Sequence, residues 1–186
     1  GGSDWTTWRV REVATGTDLP EVLAGTKFTS VSWSRDGRGF YYSRYPSDVS
    51  GNGGHDDGRQ VTVHFHVPGT PQAGDPLAYA VTDHPTRDPY ATATPDERFL
   101  VLNLEDGYLS NAVHYQRLGA DGSRSPVVRL LDAWDARYDF LGADGDTFYF
   151  LTTQAAPRGR VIAIDLAAPE ASQWREVVPQ ATDAIE

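Results

Sequence analysis

The sequence predicts an all-β fold, a partial β-propeller of about three and a half four-stranded antiparallel blades. Three observations carry this. A strand, an Asp-containing turn and an aromatic-rich strand recur in "SVSWSRDGRGFYYSRYP" (30–46), "YATATPDERFLVLNLEDG" (90–107) and "YDFLGADGDTFYFLTTQAAP" (138–157). A second pair of strand-like runs follows each. Finally, 18 Gly and 12 Pro in 186 residues break the chain too often for long helices.

The segments follow in order. Residues 1–28 hold "DWTTWRVREVATGTDLPEVL", which supplies the outer two strands of a preceding blade, with "ATGTDLP" as their turn, and then a link. Within it "PEVLAGTKF" (20–28) is the nearest approach to a helix, but it is short and interrupted by Gly25. Residues 29–85 form a blade: Val31 and Trp33 share one side of a strand, Asp36-Gly37 turns the chain, and "RQVTVHFHVPG" and "DPLAYAV" complete the four strands. Residues 86–134 repeat this around Asp96, with "NAVHYQRLGADG" and "SPVVRLLDA". Residues 135–186 repeat it around Asp144, with "GRVIAIDLAAP" and "QWREVVPQ", and end in the start of a next strand. Inner strands are expected to be apolar on both faces, and outer ones such as "TVHFHV" to alternate toward water. The whole is read as one partial propeller domain.

Composition narrows function. A hydrophobic fraction of 39% with 11% aromatic is that of a globular chain. With 26 acidic against 16 basic residues the net charge is −10, which disfavours nucleic acid and anionic membranes as partners. Without cysteine there are no disulfides, thiolate chemistry or Cys-based zinc sites. No apolar run reaches membrane length, and "GGSDWTTWRV" lacks the basic and apolar parts of a signal peptide, so a cytoplasmic location is the expectation.

More specific residues then emerge. "GSDWTTWRVREVATGTDLPEVLAGTKFTSVSWSRDGRGFYYSRYP", "VHFHVPGTPQAGDPLAY" and "WREVVPQATDAIE" together resemble the propeller of the prolyl oligopeptidase (prolyl endopeptidase) family, from Gly2 to Glu186. The most specific pieces are "GSDW", "KF", "DGRGFYYSRYP" and "GTPQAGD". The resemblance implies a serine peptidase that cleaves short peptides after proline. In that family an α/β-hydrolase domain carries the chemistry and a seven-bladed propeller over the active-site mouth excludes folded proteins, so the resemblance implies that these blades are about half of such a seven-bladed propeller. The expected partners are that catalytic domain, the remaining blades and short proline-containing peptides. No G-x-S-x-G nucleophile elbow occurs in these residues, so no catalytic residue is assigned and the stretch alone is expected to be inactive.

The resemblance also nominates site residues. Phe28, of "KF", matches a family position that packs on a substrate side chain; without the family it reads as core. Asp4, of "SDW", matches a position on the propeller face toward the catalytic domain, and reads equally as a turn acceptor. Asn111 matches the first member of an Asn-Arg pair whose Arg approaches substrate; here Ala112 stands in the Arg position.

Other candidates read blandly. His64 and His66 share a strand face at a spacing some metal sites use, but no third ligand is identifiable, and both read as solvated outer-strand residues. "DVSGNGGHDDGR" (48–59) opens like a calcium loop, yet Arg59 stands where a bidentate Glu belongs, so it reads as a long Gly-rich loop. The tryptophans Trp5, Trp8, Trp33, Trp134 and Trp174 read as packing residues. No metal or cofactor is expected. A half-ring would expose apolar blade faces, which sets up a second reading: a standalone protein-binding scaffold, with two copies closing one ring as a homodimer.

Overall fold

The computed structural model describes residues 4–46 and 60–185. The calcium-like stretch 48–59 lies outside the described residues. The chain divides into two compact units, Gly1–Leu102 and Asn103–Glu186. Among the described residues no helix is long and apolar enough to cross a membrane.

The first unit opens with β1 (Trp5–Trp8), β2 (Arg11–Glu12), β3 (Thr17–Asp18) and β4 (Leu23–Lys27). β1 pairs antiparallel with β4, with Trp5 opposite Lys27 and Thr6 opposite Thr26. The two threonine hydroxyls meet at 2.9 Å. β2 and β3 form a small hairpin at the tip, closed by a bidentate Arg11–Asp18 pair at 2.5 and 3.1 Å. The turn is Val13–Gly16, one residue ahead of the expected "ATGTDLP", because Gly16 takes the left-handed φ of +69° and Thr17–Asp18 return to pairing.

Next come β5 (Val31–Trp33), β6 (Phe40–Arg44), β7 (Thr62–His66) and β8 (Leu77–Ala80), an antiparallel sheet in chain order. The following sheet is β9 (Asp88–Ala93), β10 (Phe99–Glu105), β11 (Asn111–Arg117) and β12 (Val128–Leu131), and the division between the units falls within β10. A third sheet is β13 (Tyr138–Asp144), β14 (Thr147–Thr152), β15 (Arg160–Asp165) and β16 (Arg175–Val178). Three consecutive four-stranded antiparallel meanders, with a shorter pair before them, make the fold a stretch of β-propeller.

The recurring turn has a shared chemistry. Asp36 Oδ1 accepts from the Ser34 hydroxyl at 2.8 Å and the Arg38 N–H at 3.0 Å. Asp96 Oδ1 accepts from the Thr94 hydroxyl at 2.6 Å and the Arg98 N–H at 3.2 Å. Each carboxylate thereby occupies backbone donors that a tight bend would leave unpaired, and each sits below its ordinary carboxyl value: at Asp36 the Arg38 N–H is the main cause, and at Asp96 the Thr94 hydroxyl and Arg98 N–H outweigh burial. The third hairpin differs. Asp144 ends a strand and pairs with Thr147 across a two-residue turn led by Gly145 at φ +58°.

Burial concentrates in the second and third strands of each sheet. β6 is buried through Ser43, β10 from Phe99 to Leu102, and β11 through Gln116. First strands are less covered, Trp33 remaining 48% exposed against the Phe40 ring at 4.8 Å, and β16 is exposed throughout. One expectation is overturned here: "TVHFHV" does not alternate toward water. His64 and His66 are both buried, because β7 is an interior strand and buried polar partners receive their rings. Packing beside β7 is also tight: a Cβ at Gly39 would collide with the His66 carbonyl and the Phe65 ring.

Candidate functional site

The register of β1 on β4 decides where two candidate residues lie. With Trp5 opposite Lys27, Asp4 and Phe28 are the next residues out on each strand, so both stand at the same end of this small sheet. Phe28 is 69% exposed and takes a left-handed φ of +49°. That conformation costs a bulky L-residue about 1–3 kcal/mol, and exposing the ring forgoes its burial. An aromatic held out of the core by a strained backbone is a feature the fold keeps at a cost. The Lys27 ammonium lies 5.3 Å from the Phe28 ring and 5.6 Å from the Trp5 ring, within cation–π range of both. Trp5 in turn meets Tyr45 edge-on at 5.1 Å. The corner therefore offers an exposed aromatic face, a cation on it and an exposed carboxylate at Asp4.

Behind this corner, β4 is fastened by polar side chains. The Gln72 amide lies alongside Ala24 as another strand would: its Nε2 donates to the Ala24 carbonyl at 2.9 Å, and its Oε1 accepts the Ala24 N–H at 3.1 Å. The Gly25 carbonyl accepts the Tyr45 N–H at 2.8 Å. Glu21 is buried, and its Oε1 accepts the Gly69 N–H at 2.8 Å. His66, fully buried, stands between two carboxylates: Nδ1 is 2.9 Å from Asp75 Oδ1, and Nε2 is 3.6 Å from Glu21 Oε1. Tyr42 completes the cluster, donating its hydroxyl to Asp75 Oδ2 at 2.7 Å and accepting from Gln72 Nε2 at 3.1 Å. Burial pushes the Glu21 carboxyl up, but the Gly69 N–H, its own backbone N–H and His66 outweigh it and leave it below its ordinary value. Burial and the Asp75 carboxylate push the Tyr42 phenol far up, so it stays a donor. Burial pushes His64 down, and that ring sits between the Thr62 hydroxyl at 3.0 Å and the Asp75 carbonyl at 3.2 Å. Among the described residues no group of three such side chains is arranged to hold a metal ion.

The third candidate lies in the second unit. Asn111 is fully buried at the start of β11, and its carboxamide is engaged there: the oxygen accepts the Tyr138 N–H at 2.7 Å, and the nitrogen donates to the Tyr138 carbonyl at 2.9 Å and to Asn103 Oδ1. It ties β11 to β13, and Ala112 beside it is buried as well. The structure thus brings Asp4 and Phe28 to one corner and places Asn111 inside a sheet-to-sheet brace. Sequence reasoning missed Lys27, Glu21 and Gln72. The signals were present in "KF" and "GTPQAGD", but only the pairing of β1 with β4 shows what these residues face.

Comparison with known proteins gives this arrangement a context. The family model described as prolyl oligopeptidase, N-terminal β-propeller domain, matches residues 1–186. The chain is 30% identical over its full length to a prolyl endopeptidase of Elizabethkingia meningoseptica, covering 26% of that protein. It is 30% identical, over 87% of its length, to prolyl oligopeptidase A of Amanita bisporigera, covering 22% of that protein. Among solved structures, a prolyl endopeptidase studied for inter-domain dynamics in catalysis and specificity superposes on the whole chain with a TM-score of 0.84 at 30% identity, over 26% of its own chain. Prolyl oligopeptidase B of Galerina marginata, bound to a 35-residue hydrolysis and macrocyclization substrate, superposes on 98% of the chain with a TM-score of 0.81 at 27% identity, over 27% of its own chain. The chain spans about a quarter of the length of the relatives it matches.

Proposed function

We propose, for a chain that belongs to the prolyl oligopeptidase family as a stretch of its N-terminal β-propeller domain, that it forms the substrate-admitting side of a serine peptidase cleaving short peptides after proline. In this reading the chemistry belongs to an α/β-hydrolase domain outside these residues. The blades act as a steric filter that lets oligopeptides reach the active site and holds folded proteins out. Phe28 is the propeller's contribution to the peptide pocket, Asp4 lies toward the catalytic domain, and Asn111 acts by holding its blade edge rather than by touching peptide.

One observation carries the reading: Phe28, which the sequence resemblance matches to a peptide-contacting position, is an exposed aromatic kept in a left-handed backbone. An exposed ring of this kind binds apolar side chains by burial and offset packing, worth about 1.5–3 kcal/mol when fully covered. Such a contact formed equally in ground and transition states lowers KM and leaves kcat unchanged.

The test is hydrolysis by the complete enzyme of proline-containing peptides of increasing length, beside a folded protein with an exposed proline loop. The expected result is cleavage after proline in the peptides, none in the folded protein, and a higher KM for Phe28→Ala on peptides long enough to reach it. Absence of proline-specific cleavage, or equal cleavage of folded and unfolded substrates, would overturn the proposal.

A further inference from the structure

The motif "GTPQAGD" (69–75) stands out in the sequence, yet none of its side chains lies at the exposed corner. Its contacts run elsewhere. Gly69 gives its N–H to Glu21 at 2.8 Å, Gln72 pairs with both polar atoms of the Ala24 backbone, and Asp75 receives His66 and Tyr42. Every one of these contacts ends on β4, on the residues leading into it, or on a strand of the sheet behind it. Traced in order they close a circuit: Glu21 to His66, His66 to Asp75, Asp75 to Tyr42, Tyr42 to Gln72, Gln72 to Ala24, and Ala24 along the chain back to Glu21.

We infer that this loop is an anchor for β4 and that Gln72 and His66 are positioning residues for Phe28. The inference rests on the reading of Phe28 as a peptide contact. Phe28 directly follows β4, and its strained backbone is set by where that strand ends. β4 has β1 on one edge; on the other, the backbone of Ala24 is met by a side chain, and the Gly25 carbonyl meets the Tyr45 N–H. A two-stranded sheet is marginal by itself. A primary amide bonded to both the N–H and the C=O of one residue substitutes for a third strand at that point, and it fixes the strand's slide as well as its distance. His66 adds the second fixed point. Its two nitrogens face carboxylates from different segments: Nδ1 meets Asp75, before β8, at 2.9 Å, and Nε2 lies 3.6 Å from Glu21, before β4, so the buried ring fills the space between those segments and sets their separation. A shift of β4 would carry Phe28 with it, and misplacement of a binding group by about 1 Å is enough to cost large factors in enzyme efficiency.

The experiment uses the complete enzyme and two substrates, a proline peptide long enough to reach Phe28 and a minimal one that is not. Gln72→Ala serves as the main variant, since Gln72 is not fully buried; Glu21→Gln is the second. The expected result is a rise of about three- to tenfold in KM for the long peptide in both variants, with kcat and the minimal substrate unchanged. Gln72→Ala added to Phe28→Ala should then raise KM no further. If Phe28→Ala raises KM for the long peptide and neither Gln72→Ala nor Glu21→Gln does, the anchor is refuted and the Phe28 reading stands. If Phe28→Ala itself changes nothing, that reading fails and the positioning role falls with it. A loss on both substrates alike would also refute positioning, by showing general destabilisation.

Discussion

The sheet β5–β8 in the first unit and the sheet β13–β16 in the second share one topology and are filled by different chemistry. In β13–β16 the centre is apolar. Phe148 and Phe150 alternate inward along β14, ring to ring with Phe140 at 5.3 and 5.7 Å, and Ile162, Ala163 and Ile164 bury beside them from β15. In β5–β8, Phe40 and Tyr42 bury against Leu23, but Tyr42 and the equally buried His64 and His66 are served by Asp75, Gln72 and Glu21. Apolar packing is non-directional and tolerates small displacements. Hydrogen bonds are directional, and a buried cluster of them penalises displacements that would leave its polar groups unpaired. The blade that must fix a neighbouring strand uses the directional material, and the blade without such a burden does not.

The largest effect should come from the apolar sheet. Phe150→Ala removes a fully buried ring from β14, and about 3–5 kcal/mol of stability should go with it. Chemical denaturation reads this directly, and a loss under about 1 kcal/mol would show that the sheet is not held by its apolar centre.

Next comes the brace at Asn111. Its replacement by alanine leaves the Tyr138 N–H and C=O without the carboxamide that now meets both. Stability should fall by about 1–3 kcal/mol, and Asn111→Asp, which sets a buried carboxylate oxygen against the Tyr138 carbonyl and Asn103 Oδ1, should lose at least as much.

The polar cluster should reveal itself through pH. The Glu21 carboxyl is held below its ordinary 4.5 in the folded chain. A depressed carboxyl contributes stability that is present above the unfolded value and lost as pH falls through the folded one. The stability gap between the natural protein and Glu21→Gln should therefore be constant near neutrality and narrow below pH 4.5. A gap that instead grows on acidification would reverse the assignment. The smallest effect belongs to the hairpin tip, where Arg11 and Asp18 pair in full solvent. Asp18→Ala should leave the unfolding midpoint unchanged within error.

Much of the fold was legible in the sequence because blades repeat a local pattern. The turns at Asp36 and Asp96 follow from a Ser or Thr two residues before an Asp and an Arg two residues after it, all within hydrogen-bond reach along the chain. Asp144-Gly145 repeats the Asp36-Gly37 dipeptide yet turns differently: Gly142 and Asp146 stand where the other two turns have their hydroxyl residue and Arg, and Asp144 instead pairs with Thr147. His64 and His66 were misjudged for a different reason. Whether a histidine on a strand meets water or a buried partner depends, at His64, on the Thr62 hydroxyl and the Asp75 carbonyl and, at His66, on the Asp75 and Glu21 carboxylates, and Glu21 lies far back along the chain. The conformation of Phe28 was likewise hidden, because nothing in "KFTS" announces a left-handed phenylalanine.

Hydrogen exchange at individual amides in Gln72→Ala and Phe150→Ala tests the contrast between the two sheets most directly. Gln72→Ala should strip protection from β4, at Ala24 and its neighbours, and leave β14 as it was. Phe150→Ala should do the reverse. If both variants loosen β4 and β14 to the same degree, the two sheets are not held by different means, and the polar anchor behind Phe28 is no anchor.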